Sequence, residues 1–309
     1  MKFFFTALLL LGLQTFAHAQ QLTYQTLYVD YDSAVEFKNL KIIPVRPKQR
    51  GFGQSMSQVI SLNRALREGL ATVSERGTAS TENVHYMRVR NISDRTIYVA
   101  SGEIFSGGRQ DRMVTRDTLL VPDGRDQYVS VMCVEEGRWS EKERKFQYEN
   151  FANSSLRKVL DEDRNQVLIW QEVSRQLDSQ HIKSKSLAYL SSNGDRKMQT
   201  LQNEYFNFFH DHFKAGDSTM VGIVCLSGDK VIGSDIFASR NLFYNMLDPV
   251  LIGYTDQVLY TGKPVTITNE EVKNYMDKLL SDEVSQAKFL KENGKIFRQN
   301  GEVIHINSF

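Results

Sequence analysis

The hydrophobic and polar positions in the first half of the chain recur with the spacing of β-strands. Short apolar runs are separated there by turn-forming segments. The segment 91–94, Asn-Ile-Ser-Asp, favours a turn, and we expect it to join strands 84–90 and 95–100 into an antiparallel hairpin. A helix is predicted to end just before Gly69, where a left-handed residue fits. Several strands at this spacing predict a sandwich or a partly open barrel.

Beyond Trp139 the apolar residues fall three and four positions apart, which indicates helices. One amphipathic helix is predicted over 156–177 and a second over 198–212. Both are expected to cover a sheet. Ser239 is well placed as the N-cap of a further helix that continues through Met246.

Three local motifs in the second half predict their own geometry. The turn residues Ser-Gly-Asp at 227–229 separate two apolar runs, so a hairpin is expected there. Asn-Gly at 300–301 is the strongest two-residue hairpin signal in the chain. Thr268 and Glu271 have the spacing of a capping box, which predicts the start of a helix.

The whole pattern predicts an α+β protein, in which an antiparallel β-rich half packs with a helix-rich half that contains further β-hairpins. We expect a signal peptide over 1–19, the β-rich half over 20–145 and the helix-rich half over 146–309. No segment has the composition of a linker, so the two halves are expected to form one integrated domain. A hydrophobic fraction of 41% with 24% charged residues is typical of globular proteins and argues against disorder.

The N-terminal residues have the pattern of a secretory signal. Lys2 precedes an apolar run over 3–13, and Ala-His-Ala at 17–19 is a cleavage motif. The mature chain is therefore expected to begin near Gln20 and to be exported, either to the periplasm or out of the cell. The apolar run is too short to cross a bilayer, so no stable membrane span is expected.

Charge and cysteine content limit the partners that are predicted. A net charge of +1 provides no global field that would steer a nucleic acid, so no nucleic-acid partner is predicted and anion binding must come from a local cluster. Cys133 and Cys225 lie in strand-like apolar runs. In an oxidising compartment they are candidates for a disulfide, and two buried thiols are the alternative.

A charged, glycine-containing loop follows the predicted strand at 95–100. Gly107 and Gly108 allow positive φ and leave backbone amides unhindered, which favours an anion-binding nest. Arg109 and Arg112 would add forked donors to a phosphate or carboxylate. The alternative is structural: Glu103 pairs with one of these arginines and holds the turn.

Two similar five-residue motifs, at 102–106 and 234–238, each have an acidic residue before Ile-Phe at the end of a predicted strand. If they are related by internal pseudo-symmetry, Glu103 and Asp235 would approach each other as a carboxylate pair. Such a pair serves general acid and base catalysis. Coincidence is the alternative, because the shared motif is short.

No metal site and no cofactor are specified by the sequence. His210 and His212 are the closest histidine pair, but residues two apart on a helix point to different sides, so they are poorly placed to share a zinc ion. The fingerprints of serine hydrolases, zinc proteases, P-loop enzymes and dinucleotide-binding enzymes are absent from the sequence. Further along, Arg138 is expected to pair with Glu135 or to stack on an aromatic ring, and Trp139 to anchor a core or line a pocket with Arg138.

Five short runs occur in an order and spacing that carry a family resemblance. They are Leu-Arg-Glu-Gly at 66–69, Val-Arg-Asn-Ile-Ser-Asp at 89–94, Gly-Glu at 102–103 with Gly-Gly-Arg-Gln-Asp-Arg at 107–112, Cys-Val-Glu-Glu-Gly-Arg-Trp at 133–139, and the run 222–237. Over residues 60 to 255 the chain resembles the ARG and rhodanese-phosphatase-superfamily-associated protein domain, where ARG stands for ADP-ribosylglycohydrolase. The resemblance implies a domain found beside enzymes that handle ADP-ribose and phosphate groups, and it implies no particular reaction.

We expect the chain to be an exported protein that binds an anionic, phosphate- or sugar-bearing ligand beside the 107–112 loop. The predicted binding residues are Glu103, Gly107, Gly108, Arg109, Gln110, Arg112, Arg138 and Asp235. One alternative is a hydrolase in which Glu103 and Asp235 act as acid and base. Another is a non-catalytic scaffold that binds an envelope protein.

Overall fold

The computed structural model describes residues 21–77, 84–140, 145–216 and 218–309. The expected signal peptide lies outside these ranges. The strands are β1 (Leu27–Val29), β2 (Val35–Phe37), β3 (Leu40–Pro47), β4 (Ile60–Ser61), β5 (Ala71–Glu75), β6 (Tyr86–Asn91), β7 (Ile97–Val99), β8 (Glu103–Ser106), β9 (Arg112–Val114), β10 (Thr118–Leu120), β11 (Asp126–Cys133), β12 (Gln147–Phe151), β13 (Gly222–Ser227), β14 (Lys230–Phe237), β15 (Gly294–Gln299) and β16 (Glu302–Ser308). The α-helices are α1 (Leu62–Arg67), α2 (Ser154–Asp163), α3 (Gln166–Ser179), α4 (Arg196–Gly216), α5 (Arg240–Thr261), α6 (Asn269–Leu280) and α7 (Glu283–Asn293).

The largest sheet combines strands from both halves of the chain. Its seven strands follow the order β1-β3-β13-β14-β16-β15, with β2 paired to β3, and all the pairs are antiparallel. Neighbouring residues of β3 point to opposite faces of the sheet. Ile42 packs in the core that contains Phe209 of α4, while Ile43 packs in the core that contains Met276 of α6. This sheet is therefore covered by helices on both faces, which explains its nearly continuous apolar strands.

The other strands form a six-stranded antiparallel sheet, β12-β8-β9-β11-β6-β5, and a small sheet, β10-β7-β4. The antiparallel sheets include a curled half-barrel. The fold is α+β, as the sequence predicts. Within the described ranges, the helices are too short or too polar to cross a membrane.

The local motifs of the second half are confirmed. The turns at 227–229 and 300–301 close the hairpins β13–β14 and β15–β16, and Asn300 and Gly301 both have positive φ, 51° and 84°, as a type I′ turn requires. Ser239 Oγ caps α5 and Thr268 Oγ1 caps α6. These outcomes follow from contacts within a few residues of chain.

The expected hairpin between 84–90 and 95–100 is wrong. Strand β6 pairs with β5 and β11, while β7 pairs with β10 and β4. The turn is still there, but Asn91 Nδ2 donates to the carbonyl oxygens of Arg95, at 2.7 Å, and Leu120, at 3.2 Å. The second bond fastens the turn to the end of β10, so the chain leaves one sheet and enters another.

The single helix expected over 156–177 is also wrong, because the chain forms α2 and α3. Arg164 ends α2 with a positive φ of 45°, and the side chain of Asn165 then accepts hydrogen bonds from Val167 N and Leu168 N. Asn165 therefore starts a new helix by capping it. The apolar spacing continues across the break, which is why periodicity alone misses it.

The two cysteines are not joined by a disulfide in the structure. Cys133 ends β11 in the six-stranded sheet, whereas Cys225 lies on β13 in the seven-stranded sheet. Burial raises the pKa of the Cys225 thiol well above its ordinary value. Both side chains are buried, in keeping with the second of the two alternatives.

Candidate functional site

The loop 107–112 connects β8 to β9, and its amides bond carboxylates of the protein itself. Gly107 N donates to Asp111 Oδ1 at 3.1 Å, Arg109 N to Glu75 Oε1 at 2.8 Å, and Asp111 N to a Glu135 oxygen at 3.2 Å. Both glycines have positive φ, 94° and 51°, as the nest geometry requires. The nest is present, and protein carboxylates occupy the positions that a bound anion would take.

Arg138 closes this loop from the other side. Its Nε donates to Glu135 at 2.7 Å, which confirms the expected pair, and its Nη2 donates to Asp111 Oδ1 at 2.8 Å and to Gly107 O at 3.1 Å. Burial and the nearby Glu135 charge raise the pKa of Asp111 to about 6, although Arg138 opposes them. The guanidinium thus compensates two crowded carboxylates.

The remaining polar side chains of the loop also bond the protein. Arg112 is fully buried and donates to Cys133 Sγ at 2.9 Å, and Gln110 Nε2 donates to Glu135 O at 2.8 Å. Arg109 Nη1 donates to Ser140 O at 2.7 Å. The arginines therefore point inward rather than towards a groove.

Trp139 is 55% exposed, so its expected role as a core anchor is wrong. The ring lies beside the guanidinium of Arg109, 5.8 Å from the ring centre. This contact leaves a broad aromatic surface accessible next to the loop.

Glu103 is separate from this loop network. The carboxyl is fully buried; Oε2 accepts from Ala100 N at 3.1 Å, and Oε1 has no hydrogen-bond partner within the described ranges. Burial raises the pKa of Glu103 well above its usual range, and the charge of Asp117 adds to the shift. Burial therefore favours the protonated form of this carboxyl. The alternative in which Glu103 pairs with Arg109 or Arg112 is wrong.

Asp235 lies on β14 at the centre of a buried ionic cluster. Arg157 holds it with two hydrogen bonds, 3.0 and 2.6 Å, Tyr254 Oη donates at 2.7 Å, and His305 Nε2 lies 3.0 Å away. Burial by itself would raise the pKa of Asp235, but Arg157 and His305 outweigh it and hold the pKa far below its usual value. Asp235 is thus held in its ionised form, whereas burial favours the protonated form of Glu103.

His305 links Asp235 to a second carboxylate. Its Nδ1 lies 2.8 Å from Asp117 Oδ2, and Ser101 N donates to the other oxygen of Asp117 at 2.7 Å. Burial would lower the pKa of His305, but the two carboxylates raise it to about 9. The cluster consequently contains two anions, Asp117 and Asp235, and two cations, Arg157 and His305. We call these four residues with Tyr254 the buried ionic cluster.

One member of this cluster, Asp235, was predicted from the sequence as a site residue. Arg157 had a visible signal, because it lies beside Leu156 on the face of α2 that also carries Leu160, where a charge must find a buried partner. His305 and Asp117 are ordinary strand and loop residues in the sequence, and 188 positions separate them. Only the tertiary fold brings them together.

A more exposed group of charges lies on the outer side of the six-stranded sheet. We call it the arginine–tyrosine face, and it consists of Arg76, Tyr86, Arg88, Arg90 and Tyr128. Arg88 and Tyr128 are directly opposite each other on β6 and β11, and both are exposed. The guanidinium of Arg76 lies 4.5 Å from the ring centre of Tyr128 and 5.1 Å from that of Tyr86.

One carboxylate partly neutralises this face. Asp126 accepts from Arg90 at 2.7 Å and lies 3.6 Å from Arg88. Arg88 and Arg90 thus share one carboxylate, and Arg76 contacts the rings of Tyr86 and Tyr128. The face also lies next to the loop. Glu75 and Arg76 are successive residues at the end of β5, so their side chains point to opposite sides of the sheet. Glu75 points inward and bonds Arg109 N, whereas Arg76 points outward.

Among the residues that the structure describes, no three or more His, Cys, Asp or Glu side chains form a group that could hold a metal ion. Comparison with known proteins identifies a family. A family model, the ARG and Rhodanese-Phosphatase-superfamily-associated Protein domain, matches residues 28–307, nearly the whole chain. No curated protein and no solved structure matches.

Proposed function

The chain belongs to the ARG and Rhodanese-Phosphatase-superfamily-associated Protein domain family, and we propose that this member is a non-catalytic protein that binds an extended anionic ligand. The binding surface is the arginine–tyrosine face, next to the 107–112 loop that the sequence singled out. The observation that carries the proposal is the stacking of Arg76 on Tyr86 and Tyr128, with two more arginines beside it.

Stacking prepares Arg76 to bind an anion. A guanidinium held against aromatic rings keeps its forked N–H donors in a fixed plane, so less side-chain freedom is lost when a carboxylate or phosphate binds. Arg88 and Arg90 lie on the same side of β6, two residues apart. They extend the positive surface along the strand, which suits a ligand with repeated charges better than one with a single charge.

The tyrosines favour a sugar-bearing ligand. Tyr128 is 47% exposed and presents an apolar ring with a polar end. Such a ring packs against the face of a pyranose while neighbouring arginines bind its charged substituents. An anionic oligosaccharide therefore fits the surface, and the shared chemistry of carboxylate and phosphate makes inorganic polyphosphate the alternative source of charge.

Calorimetry with a carboxylated oligosaccharide, oligogalacturonate, tests this proposal. We expect binding that weakens as salt is added, and an Arg88→Gln variant that binds about fivefold more weakly, since an exposed ion pair is worth up to about 1 kcal/mol. Arg196→Gln is the matched control, because Arg196 is an exposed arginine at the start of α4. Its affinity should equal that of the unchanged protein.

Two further arms complete the experiment. A neutral oligosaccharide of equal length should bind far more weakly. Binding of polyphosphate as tight as that of the oligogalacturonate would show that the surface recognises charge and not the sugar. Equal affinity for Arg88→Gln and the unchanged protein would contradict the proposal. Absence of binding in every arm would favour the remaining candidate from the sequence, an envelope protein as partner.

A hydrolase is the second candidate, and one observation favours it. The pKa of Glu103 is raised well above its usual range while that of Asp235 is held far below. Opposite shifts of this kind separate an acid from a base in many active sites. Both carboxyls are fully buried, so a substrate would reach them only after an opening of the fold. Cleavage of the oligosaccharide that disappears in Glu103→Gln would support this candidate.

We also propose that the protein is exported, on the basis of Lys2, the apolar run 3–13 and the cleavage motif at 17–19. The signal lies outside the described residues. When the full-length gene is expressed in its native host, mass spectrometry of the protein from outside the inner membrane should give a chain that starts near Gln20. An unprocessed chain in the cytoplasm would contradict the proposal.

A further inference from the structure

A polar hollow lies in the helix-rich half, away from the residues discussed so far. It is formed by α3, by the short 3-10 helix Tyr189–Gly194, by α4 and by α5. Its interior has room for one water-sized group, about 20 Å³, and the whole depression with its open mouth measures about 470 Å³. A ligand could therefore place one small group inside while the rest of it lies across the mouth.

The hollow is lined by one carboxyl group, that of Asp256. Asp256 accepts hydrogen bonds from Tyr189 Oη at 3.4 Å and from Gln202 Nε2 at 2.5 Å. Burial raises the pKa of Asp256 to about 7, although these two bonds oppose the shift. No Lys or Arg lines the hollow, so nothing in its wall would attract an anionic group.

The hollow is also lined by amide groups with unused hydrogen-bonding capacity. The side chains of Gln180 and Asn193 line the hollow and are half-buried, and neither makes a hydrogen bond or an ion pair with any residue that the structure describes. An amide both donates and accepts. Two unpaired amides that line one small space are therefore suited to bind a group that can both donate and accept a hydrogen bond.

Apolar side chains also line the hollow. They are Val173 and Leu177 of α3, Met198 of α4 and Leu259 of α5. Binding sites for small molecules commonly combine such an apolar surface with a few placed polar groups. The apolar surface here provides contact for the carbon skeleton of a ligand whose polar group enters the hollow.

We propose that this hollow binds a neutral sugar or polyol, with one hydroxyl group inserted among Asp256, Gln180 and Asn193. The volume decides the type of group, because a hydroxyl occupies about the space of one water molecule, whereas a carboxamide or a ring needs more. A hydroxyl donates once and accepts twice, which matches one carboxyl acceptor and two amides. This site is independent of the arginine–tyrosine face.

Two-dimensional NMR of the folded protein tests the proposal with glucose and glycerol as probes. The side-chain amide signals of Gln180 and Asn193 should shift in a saturable way as either probe is added. Gln180→Ala should weaken binding about five- to tenfold, the usual result of removing one neutral hydrogen bond. Gln58→Ala, which removes an exposed glutamine outside the hollow, should leave the affinity unchanged.

Three outcomes would overturn the proposal. The first is the absence of any shift with glucose, glycerol or N-acetylglucosamine at tens of millimolar. The second is equal affinity of the unchanged protein, Gln180→Ala and Asn193→Ala. The third is binding of glucosamine without binding of glucose, which would show that Asp256 selects an amine. Because the side chains of Gln180 and Asn193 bond no other residue that the structure describes, and alanine keeps the backbone bonds, both variants are expected to fold.

Discussion

Replacing Arg157 by methionine is expected to lower the free energy of unfolding by about 3 to 5 kcal/mol, the usual cost of removing one partner of a buried ion pair. Arg157 provides two hydrogen bonds to Asp235, and both side chains are almost completely shielded from water. Methionine fills similar space but leaves the buried ionic cluster with two anions and one cation. The charge that remains, rather than a cavity, accounts for the loss.

Urea unfolding followed by circular dichroism measures this change. Lys158→Met is the matched control, because Lys158 is the next residue of α2, is exposed, and makes only a surface pair with Glu162. Its effect should remain within about 0.5 kcal/mol. A loss below about 1 kcal/mol for Arg157→Met would show that Arg157 is not needed to compensate the buried charge of Asp235.

The second large effect is a loss of stability at alkaline pH. The pKa of His305 is about 9 in the folded protein, against an ordinary value of 6.5. Because the folded state binds the proton more tightly, the contribution of His305 is complete below pH 6.5 and is lost as the pH rises through 9. The shift corresponds to about 3 kcal/mol.

The cause is the position of the imidazolium between Asp117 and Asp235. Denaturation at several pH values should show the free energy of unfolding falling between pH 6.5 and 9, and His305→Gln should lack that part of the slope. The titration can also be observed directly from the ring proton signals of His305. A midpoint near or below 6.5 would contradict the pairing of the ring with two carboxylates.

These two effects depend on contacts between residues that are far apart in the sequence. Arg157 and Asp235 are 78 positions apart, and the sequence around each describes only a helix and a strand. By contrast, the hairpin at Asn300 and Gly301 could be predicted, because its geometry depends on the φ preferences of two adjacent residues. Long-range polar partners leave no periodic signal.

The 107–112 loop is a second case in which the local structure could be predicted from the sequence but the distant partners could not. Its glycines and charges correctly indicate a nest of amides, but the sequence does not show which carboxylates are nearby. Glu75 and Glu135 come from β5 and from the segment after β11, and both bond the loop. Local chemistry could be predicted here, while the identity of the bonded groups depended on tertiary structure. The prediction that a ligand binds beside this loop awaits the binding experiments described above.

The seven-stranded sheet has a consequence for the order of folding. Strand β13 is paired on one side with β3, through Val45 and Gly222, and β14 is paired with β16 near residue 306. The middle of the sheet therefore needs strands β3 and β16, which are far apart in the sequence. Closing such distant contacts costs entropy before the ladder forms, so we expect slow folding that requires both segments. Until then the edges of β13 and β14 remain open to pairing with other chains, which makes a holding chaperone advantageous to this fold.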